Sequence, residues 1–401
     1  MTSTLMVARP VRRLGHGGGF WVVAAAFALS LALSTLPTPL YRLYQQRDGF
    51  PTVVVTMVFA AYAIGVVTSM YLIGHVSDWL GRRRMVLAAT LAEAFAALVF
   101  LTWPEVPGLI IARFVCGVGI GALTATATAH LAELRAVSHP GRDAGLLSAM
   151  VNMGGLGLGP LVGGLLASYV TDPLTVPYAI FLVLLVVAAA AVWLVPETVE
   201  RNEGRPRYRP QHLSLPRSAR PAFWGAAAVG FAGYMLSGLF LSLAPTLLQH
   251  SLHEASLLVG GLVAMSVFAA AALAQVLFAA VPLRRQLLVG LGAMAVSLLV
   301  VPASVLAGSA LLFASGVVVG GVGLGLTFRA AVGTVARLAP PDLRGEVLAG
   351  VFLAAYLGLA LPVLVVGVAL TVLSSLVVLV LFSVVQLAML IWAGRRLAMA
   401  S

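Results

Sequence analysis

Charge is what this chain has least of. Only 9% of its 401 residues are Asp, Glu, Lys or Arg, lysine is absent, and all 24 basic residues are arginine. Against that scarcity, 61% of the residues are hydrophobic and the mean hydropathy is +1.05. A soluble domain of this length could not carry such a composition without exposing large apolar patches, so the chain reads as an integral membrane protein. Cysteine occurs once, as Cys116 inside an apolar stretch. That excludes an intrachain disulfide and leaves redox chemistry without support, and the residue reads as inert. There is no P-loop, no His/Cys cluster at metal-ligand spacing and no nucleophile elbow, and the polar loops are too short for a catalytic domain. The expectation is a protein that is not an enzyme, with no cofactor and no metal.

The net charge of +11 could suggest a nucleic-acid partner, but its distribution argues otherwise. Twenty arginines lie in the N-terminal segment or in alternate connections, from Arg9 to Arg396, and only Arg42 and Arg47 occupy the opposite set of loops. By the positive-inside rule both termini are expected in the cytoplasm. The charge is topological, no nucleic acid is expected, and the chain's surroundings are membrane lipids.

Apolar runs of about 20 residues can each cross a bilayer as a helix. They predict an all-α membrane protein with twelve spans: Phe20–Leu40, Thr52–Ile73, Met85–Trp103, Leu109–Leu131, Ala144–Val170, Leu174–Leu194, Ala222–Leu248, Ser256–Val281, Gln286–Leu306, Ser309–Thr327, Val347–Val368 and Val372–Trp392. The first is too long for a secretory signal and lacks a clear cleavage site, so it is kept as a span. Pro196 to Arg220 is the one sizeable polar segment. It divides the chain into residues 1–195, a linker 196–220 and residues 221–401, with two pseudo-symmetric six-helix bundles on either side. Three pairs of segments support an internal repeat: His139–Arg142 with Pro340–Arg344, Gly117–Gly121 with Gly321–Gly325, and Leu156–Pro160 with Leu357–Pro362.

Three motifs carry the functional reading. In the fifth span, Gly155, Gly159, Pro160, Gly163 and Gly164 fall at fixed spacing. Small residues four apart admit a neighbouring backbone, and the proline removes one helix hydrogen bond and bends the segment. After the second span, Gly74, Asp78, Gly81 and Arg82, Arg83 and Arg84 form a short reversing loop. Asp78 there can accept from a helix N-terminus, while the arginines sit among anionic headgroups or bridge to acids. On the fourth span, Arg113 precedes Gly117 and Gly121. An arginine in hydrocarbon is costly unless paired or hydrated.

The first motif matches the GxxxGPxxGG signature of the major facilitator superfamily of secondary transporters, and the chain resembles the proton-coupled exporters among them. The second resembles that superfamily's general loop motif, departing from it at Val76, Ser77 and Trp79. The third resembles its arginine-glycine motif, which has been linked to proton transfer. The resemblance implies a transporter working by alternating access and exporting a small molecule across a bacterial cytoplasmic (inner) membrane as a monomer, by proton antiport. The loop would latch the two halves on the cytoplasmic side, although it also reads as an ordinary positive-inside connection. A proton symporter or uniporter importing a metabolite is the alternative within transporters. A receptor or assembly protein that keeps the fold without transporting is the alternative outside them.

Glu93 is the only carboxylate well inside any expected span and is the natural partner for Arg113. The pair reads either as a proton-coupling site or as a permanent structural ion pair. The first span lacks the acid that several related antiporters carry. His130 and Glu133, three residues apart, are the other ionisable candidates for coupling, and they also read as interfacial helix-end residues, with Glu133 answering the arginine loop. The family's geometry implies a central path lined by the first, fourth, seventh and tenth spans. Thr124, Thr128, Tyr234, Gln249 and Arg329 are its candidate lining residues. Arg329 either attracts an anionic group or snorkels to the interface. So few polar residues imply an apolar pocket and an amphipathic or hydrophobic substrate.

Overall fold

The computed structural model describes residues 13–73, 80–140, 145–199, 220–252, 254, 256–338 and 344–398. Gly74 and Asp78 of the expected latch, and residues 200–219 of the expected linker, lie outside the described residues. Every regular element among the described residues is a helix, and twelve segments are long and apolar enough to cross a membrane. The first span consists of His16–Thr35 and Pro37–Asp48, joined in line through Leu36, whose φ of −50° and ψ of −41° are helical. The second to sixth are Thr52–Ile73, Arg82–Thr102, Val106–Ser138, Gly145–Tyr169 and Val176–Trp193. The seventh to twelfth are Arg220–Leu252, Leu257–Leu277, Leu283–Leu306, Ala310–Leu338, Arg344–Ala369 and Ser375–Ala398.

The fourth and tenth helices run past their expected apolar ends at Leu131 and Thr327 to Ser138 and Leu338. Hydropathy marks only the part of a helix that sits in hydrocarbon. Arg, Glu, Ala and Leu then carry the backbone hydrogen bonds on into the headgroup region, because these residues are good helix formers. The eighth helix instead stops at Leu277, short of Val281. Gln286 caps the turn there, its Nε2 donating to the carbonyls of Phe278 (2.9 Å) and Val281 (2.7 Å). Large apolar side chains point outward on many helices, with Val187, Leu299, Leu311 and Val365 between 61% and 82% exposed. Lipid covers such surface at no cost, and no hydrophobic term remains to drive the helices together.

Close packing therefore holds the interior. The main helix contacts in the first half have counterparts in the second: first on fifth and seventh on eleventh, second on fourth and eighth on tenth, third on sixth and ninth on twelfth. The halves meet mainly through two symmetry-related pairs, second with eleventh and fifth with eighth. The result is a multi-pass membrane fold of two pseudo-symmetric six-helix bundles.

Candidate functional site

The fifth helix uses its glycines on two faces. A Cβ on Gly155 would sit 2.9 Å from the Ala28 carbonyl oxygen, one on Gly159 would overlap Thr35 and Ala32, and one on Gly163 would sit 2.6 Å from the Leu36 oxygen. These three, spaced by four, admit the first span backbone to backbone. Gly164 does the same for the eighth helix, with the Leu257 oxygen 2.6 Å and the Gly261 Cα 3.1 Å from its would-be Cβ. Pro160 lies between these contacts. Its ring has no N–H, so the Leu156 carbonyl four residues earlier loses its helix donor. Thr35 Oγ1 supplies the replacement from the first span, at 2.9 Å. The bend and the joint are thus one feature, since the residue that breaks the fifth helix's ladder exposes an acceptor to the helix packed on its glycines.

Between the halves lies a cavity. The first half contributes Ser34, Phe59, Tyr62 and Arg113, and the second half Tyr234, Phe328 and Tyr356. Tyr234 stands with ring centroids 5.5 Å from both Phe328 and Tyr356. Tyr62 from the first half and Tyr356 from the second both line this space, so tyrosines face it from either side. Arg113, 2% exposed, is the one formally charged residue of the lining. Its Nη1 donates to the Ser34 carbonyl oxygen, and its guanidinium carbon lies 4.6 Å from the Tyr62 ring centroid and 5.5 Å from that of Phe59.

Glu93 is wholly buried but does not pair with Arg113 directly. Its Oε2 accepts a hydrogen bond from Cys116 Sγ at 3.0 Å, and its Oε1 has no partner. The expected contact fails because the two side chains reach different flanks of the fourth helix. Glu93 comes from the third helix on one side, whereas Arg113 points towards the first and second on the other. Cys116, read as inert, is instead the donor that holds the carboxyl group. Gly119 makes room for it, since a Cβ there would lie 2.5 Å from Glu93 Oε1. Gly117 and Gly121 face the second helix, close to Tyr62 and Val66. The signal for Gly119 was present in the sequence, because it falls between two glycines spaced by four and so must face elsewhere.

A second polar cluster lies on the side of the chain ends. Glu133 Oε1 accepts from Arg82 Nε at 3.3 Å, and its Oε2 accepts from the Thr198 hydroxyl. Glu197 Oε1 accepts from the backbone N–H groups of Arg83 (3.3 Å) and Thr198 (3.2 Å). Arg83 Nη1 donates to the carbonyls of Trp193 (3.3 Å) and Val195 (3.4 Å). Gly81 is required here: its φ is +104°, and a Cβ would press against the Glu197 carboxylate. The segment Trp193–Thr198, which the sequence divided between the end of the sixth span and the start of the linker, is therefore the platform on which the arginine loop docks. His130 is buried beside it, its Nε2 3.3 Å from the Pro196 carbonyl oxygen. Arg84 begins the third helix as part of the same run.

The remaining lining candidates divide. Tyr234 lines the cavity, whereas Thr124, half-buried, donates to the Ile120 carbonyl at 2.8 Å and is outside the lining. Thr128 is exposed and donates to the Thr124 carbonyl at 2.8 Å, outside the lining. Gln249 lies beyond the cavity near the far end of the seventh helix. Arg329 does not enter the lining. Its guanidinium donates to the carbonyls of Gln275 and, at 3.3 Å, Ala279, closing the C-terminal end of the eighth helix, where unpaired carbonyls and the helix dipole favour a cation.

The sequence model of a family described as Major Facilitator Superfamily matches residues 19–362. An uncharacterized MFS-type transporter of Mycobacterium tuberculosis is 29% identical over 177 residues, 43% of this chain and 24% of that protein. A D-xylose transporter of Levilactobacillus brevis is 30% identical over 115 residues, 29% of this chain and 23% of the relative. A chloramphenicol resistance protein of Acinetobacter baumannii is 29% identical over 113 residues, 27% of this chain and 26% of the relative. The chain thus matches only about a quarter of the length of these relatives. Among solved structures, a bacterial homolog to the human lysosomal transporter Spinster, in an inward-facing and unoccupied conformation, superposes with a TM-score of 0.71. The match covers 96% of this chain and 98% of that one at 13% identity, a likeness of fold.

Proposed function

Because the chain belongs to the Major Facilitator Superfamily, and its family and fold are those of membrane transporters rather than enzymes, we propose that it exports a small amphipathic or hydrophobic molecule by proton antiport with alternating access. In this reading residues 1–195 and 221–401 rock as two bundles joined by the 196–220 linker, in a cytoplasmic membrane with both termini inside and the protein acting as a monomer. The observation that carries export is the two-sided glycine joint of the fifth helix. A backbone-to-backbone contact leaves no room for water or ions between the first, fifth and eighth helices, and a pump that holds a gradient requires such a seal. Glu93 is the proposed proton carrier, buried and with one oxygen unpartnered. The loop of Gly74, Asp78, Gly81 and Arg82 to Arg84 is the proposed cytoplasmic latch, and the docking of Gly81, Arg82 and Arg83 on Glu133 and Glu197 supports that role.

One observation favours a second reading, proton symport. Arg113 lines the cavity with no carboxylate at ion-pair distance among the described residues. A negative substrate there and a proton on Glu93 would favour each other's binding, and ligands that bind cooperatively travel together.

One experiment separates these readings. Substrates found by challenging an efflux-deficient host expressing the protein, chloramphenicol included, are offered to proteoliposomes under an imposed pH difference. Movement against the proton flow is expected for antiport. Glu93→Gln, which keeps the shape without a removable proton, should still exchange substrate but lose accumulation. Movement with the protons decides for symport, and pH-driven accumulation that survives in Glu93→Gln moves coupling to His130, Glu133 or Asp78.

A further inference from the structure

The central cavity is chemically lopsided. Its first-half wall carries the one formal charge among the described lining residues, Arg113, and its second-half wall is aromatic, with Tyr234 packed against both Phe328 and Tyr356. Arg113 is almost fully buried. It donates to a neutral carbonyl oxygen, rests against two aromatic faces, and leaves its Nε without a partner. A buried guanidinium supplied only with neutral acceptors and ring faces remains short of an anion, because those contacts offset part of the desolvation and none of the charge. Holding the guanidinium against the rings also fixes its fork, which suits a planar two-oxygen anion. Among the described residues no acid lines the cavity to receive a cation.

We propose that the substrate site takes a small organic anion with a flat apolar body, its carboxylate or sulfonate on Arg113 and its body against Tyr234, Phe328 and Tyr356. This rests on the reading of the chain as a transporter but on neither direction of transport. A ligand seated in this way touches both halves at once, so its binding biases the equilibrium between the alternating states. Tyr62 and Tyr356 line the cavity from opposite halves.

The test uses purified full-length protein in detergent and three matched probes, 1-naphthoate, 1-naphthamide and 1-naphthylmethylammonium, read by intrinsic fluorescence quenching and by shift of the unfolding temperature. Naphthoate is expected to bind at least tenfold more tightly than the amide, and the ammonium most weakly. In Arg113→Gln the naphthoate advantage should vanish while the amide binds as before, and Arg113→Lys should keep part of the preference for the anion. The ranking within the wild type needs no variant, so it stands even if Arg113→Gln fails to fold. Equal or tighter binding of the ammonium, no binding of naphthoate, or an unchanged ranking in a folded Arg113→Gln would each overturn the proposal. Naphthoate that binds at Arg113 yet is not carried by proteoliposomes would instead count against the transport reading while the site assignment stood.

Discussion

At the scale of single residues, the polar groups inside the bilayer are few and each has a separate task. Thr35 supplies the donor that Pro160 cannot, across 121 positions of sequence. Interhelical hydrogen bonds in membranes contribute about 0.6 kcal/mol on average and up to about 1.7. The Leu156 carbonyl has lost its own helix donor, which puts this bond at the upper end of that range. Thr35→Val, which keeps the shape, should lower the unfolding temperature in detergent, and Thr35→Ser should not. An unchanged melt in Thr35→Val would mean that another group satisfies the carbonyl. Glu93, Cys116 and Gly119 form a comparable unit, in which one helix buries a carboxyl group and its neighbour supplies both a thiol donor and the space.

At the scale of helices, spacing decides which neighbour a glycine admits. Gly155, Gly159 and Gly163 recur every four residues and face the first span, while Gly164, one position on, faces the eighth helix. Gly159→Leu and Gly163→Leu should each cut coupled transport about tenfold or more, since forcing a large side chain into a filled contact costs roughly 1–3 kcal/mol and there is no cavity to absorb it. Gly154 is the internal control. A Cβ there meets nothing within 4 Å, so Gly154→Leu should transport normally in the same proteoliposome assay. If the three variants behave alike, the glycines do not form a seal. The eighth helix shows the same logic at its C-terminal end, where Gln286 and Arg329 cap carbonyls that a bare helix would leave open.

For the whole molecule, the paired contacts second-eleventh and fifth-eighth form two equivalent seams beside the cavity, and in the proposed alternating access they would be where the halves rock. Orientation in the membrane is testable with the chain's own cysteine left in place, because Cys116 is fully buried. Gln46 and His139 are both exposed and lie at opposite ends of the bundle. A membrane-impermeant maleimide should label Gln46→Cys in intact cells and His139→Cys only after permeabilisation. The reverse pattern would invert the topology drawn from the arginines.

Much of this was legible in the residues alone. The scarcity of charge required a membrane environment, and runs of about 20 apolar residues set the twelve spans, because lipid tolerates only a helix that satisfies its own backbone. The glycine spacing marked a close helix contact, and the isolation of Glu93 and Arg113 marked them as costly to bury. What remained hidden depended on which helices become neighbours and from which side. Glu93 and Arg113 sit on adjacent helices in sequence, yet only the packing sends one to Cys116 and the other to Ser34 and Tyr62. Arg329, plausible as a cavity charge, is drawn instead to the open carbonyls of the eighth helix. Glu197 gave no signal because its long-range partner is a backbone N–H more than a hundred residues earlier, at Arg83. Local pattern determined which segments form helices and where they cross; the partners of the buried polar groups were decided by tertiary packing, because a side chain that cannot reach water must bond to whatever donor or acceptor the neighbouring helix presents.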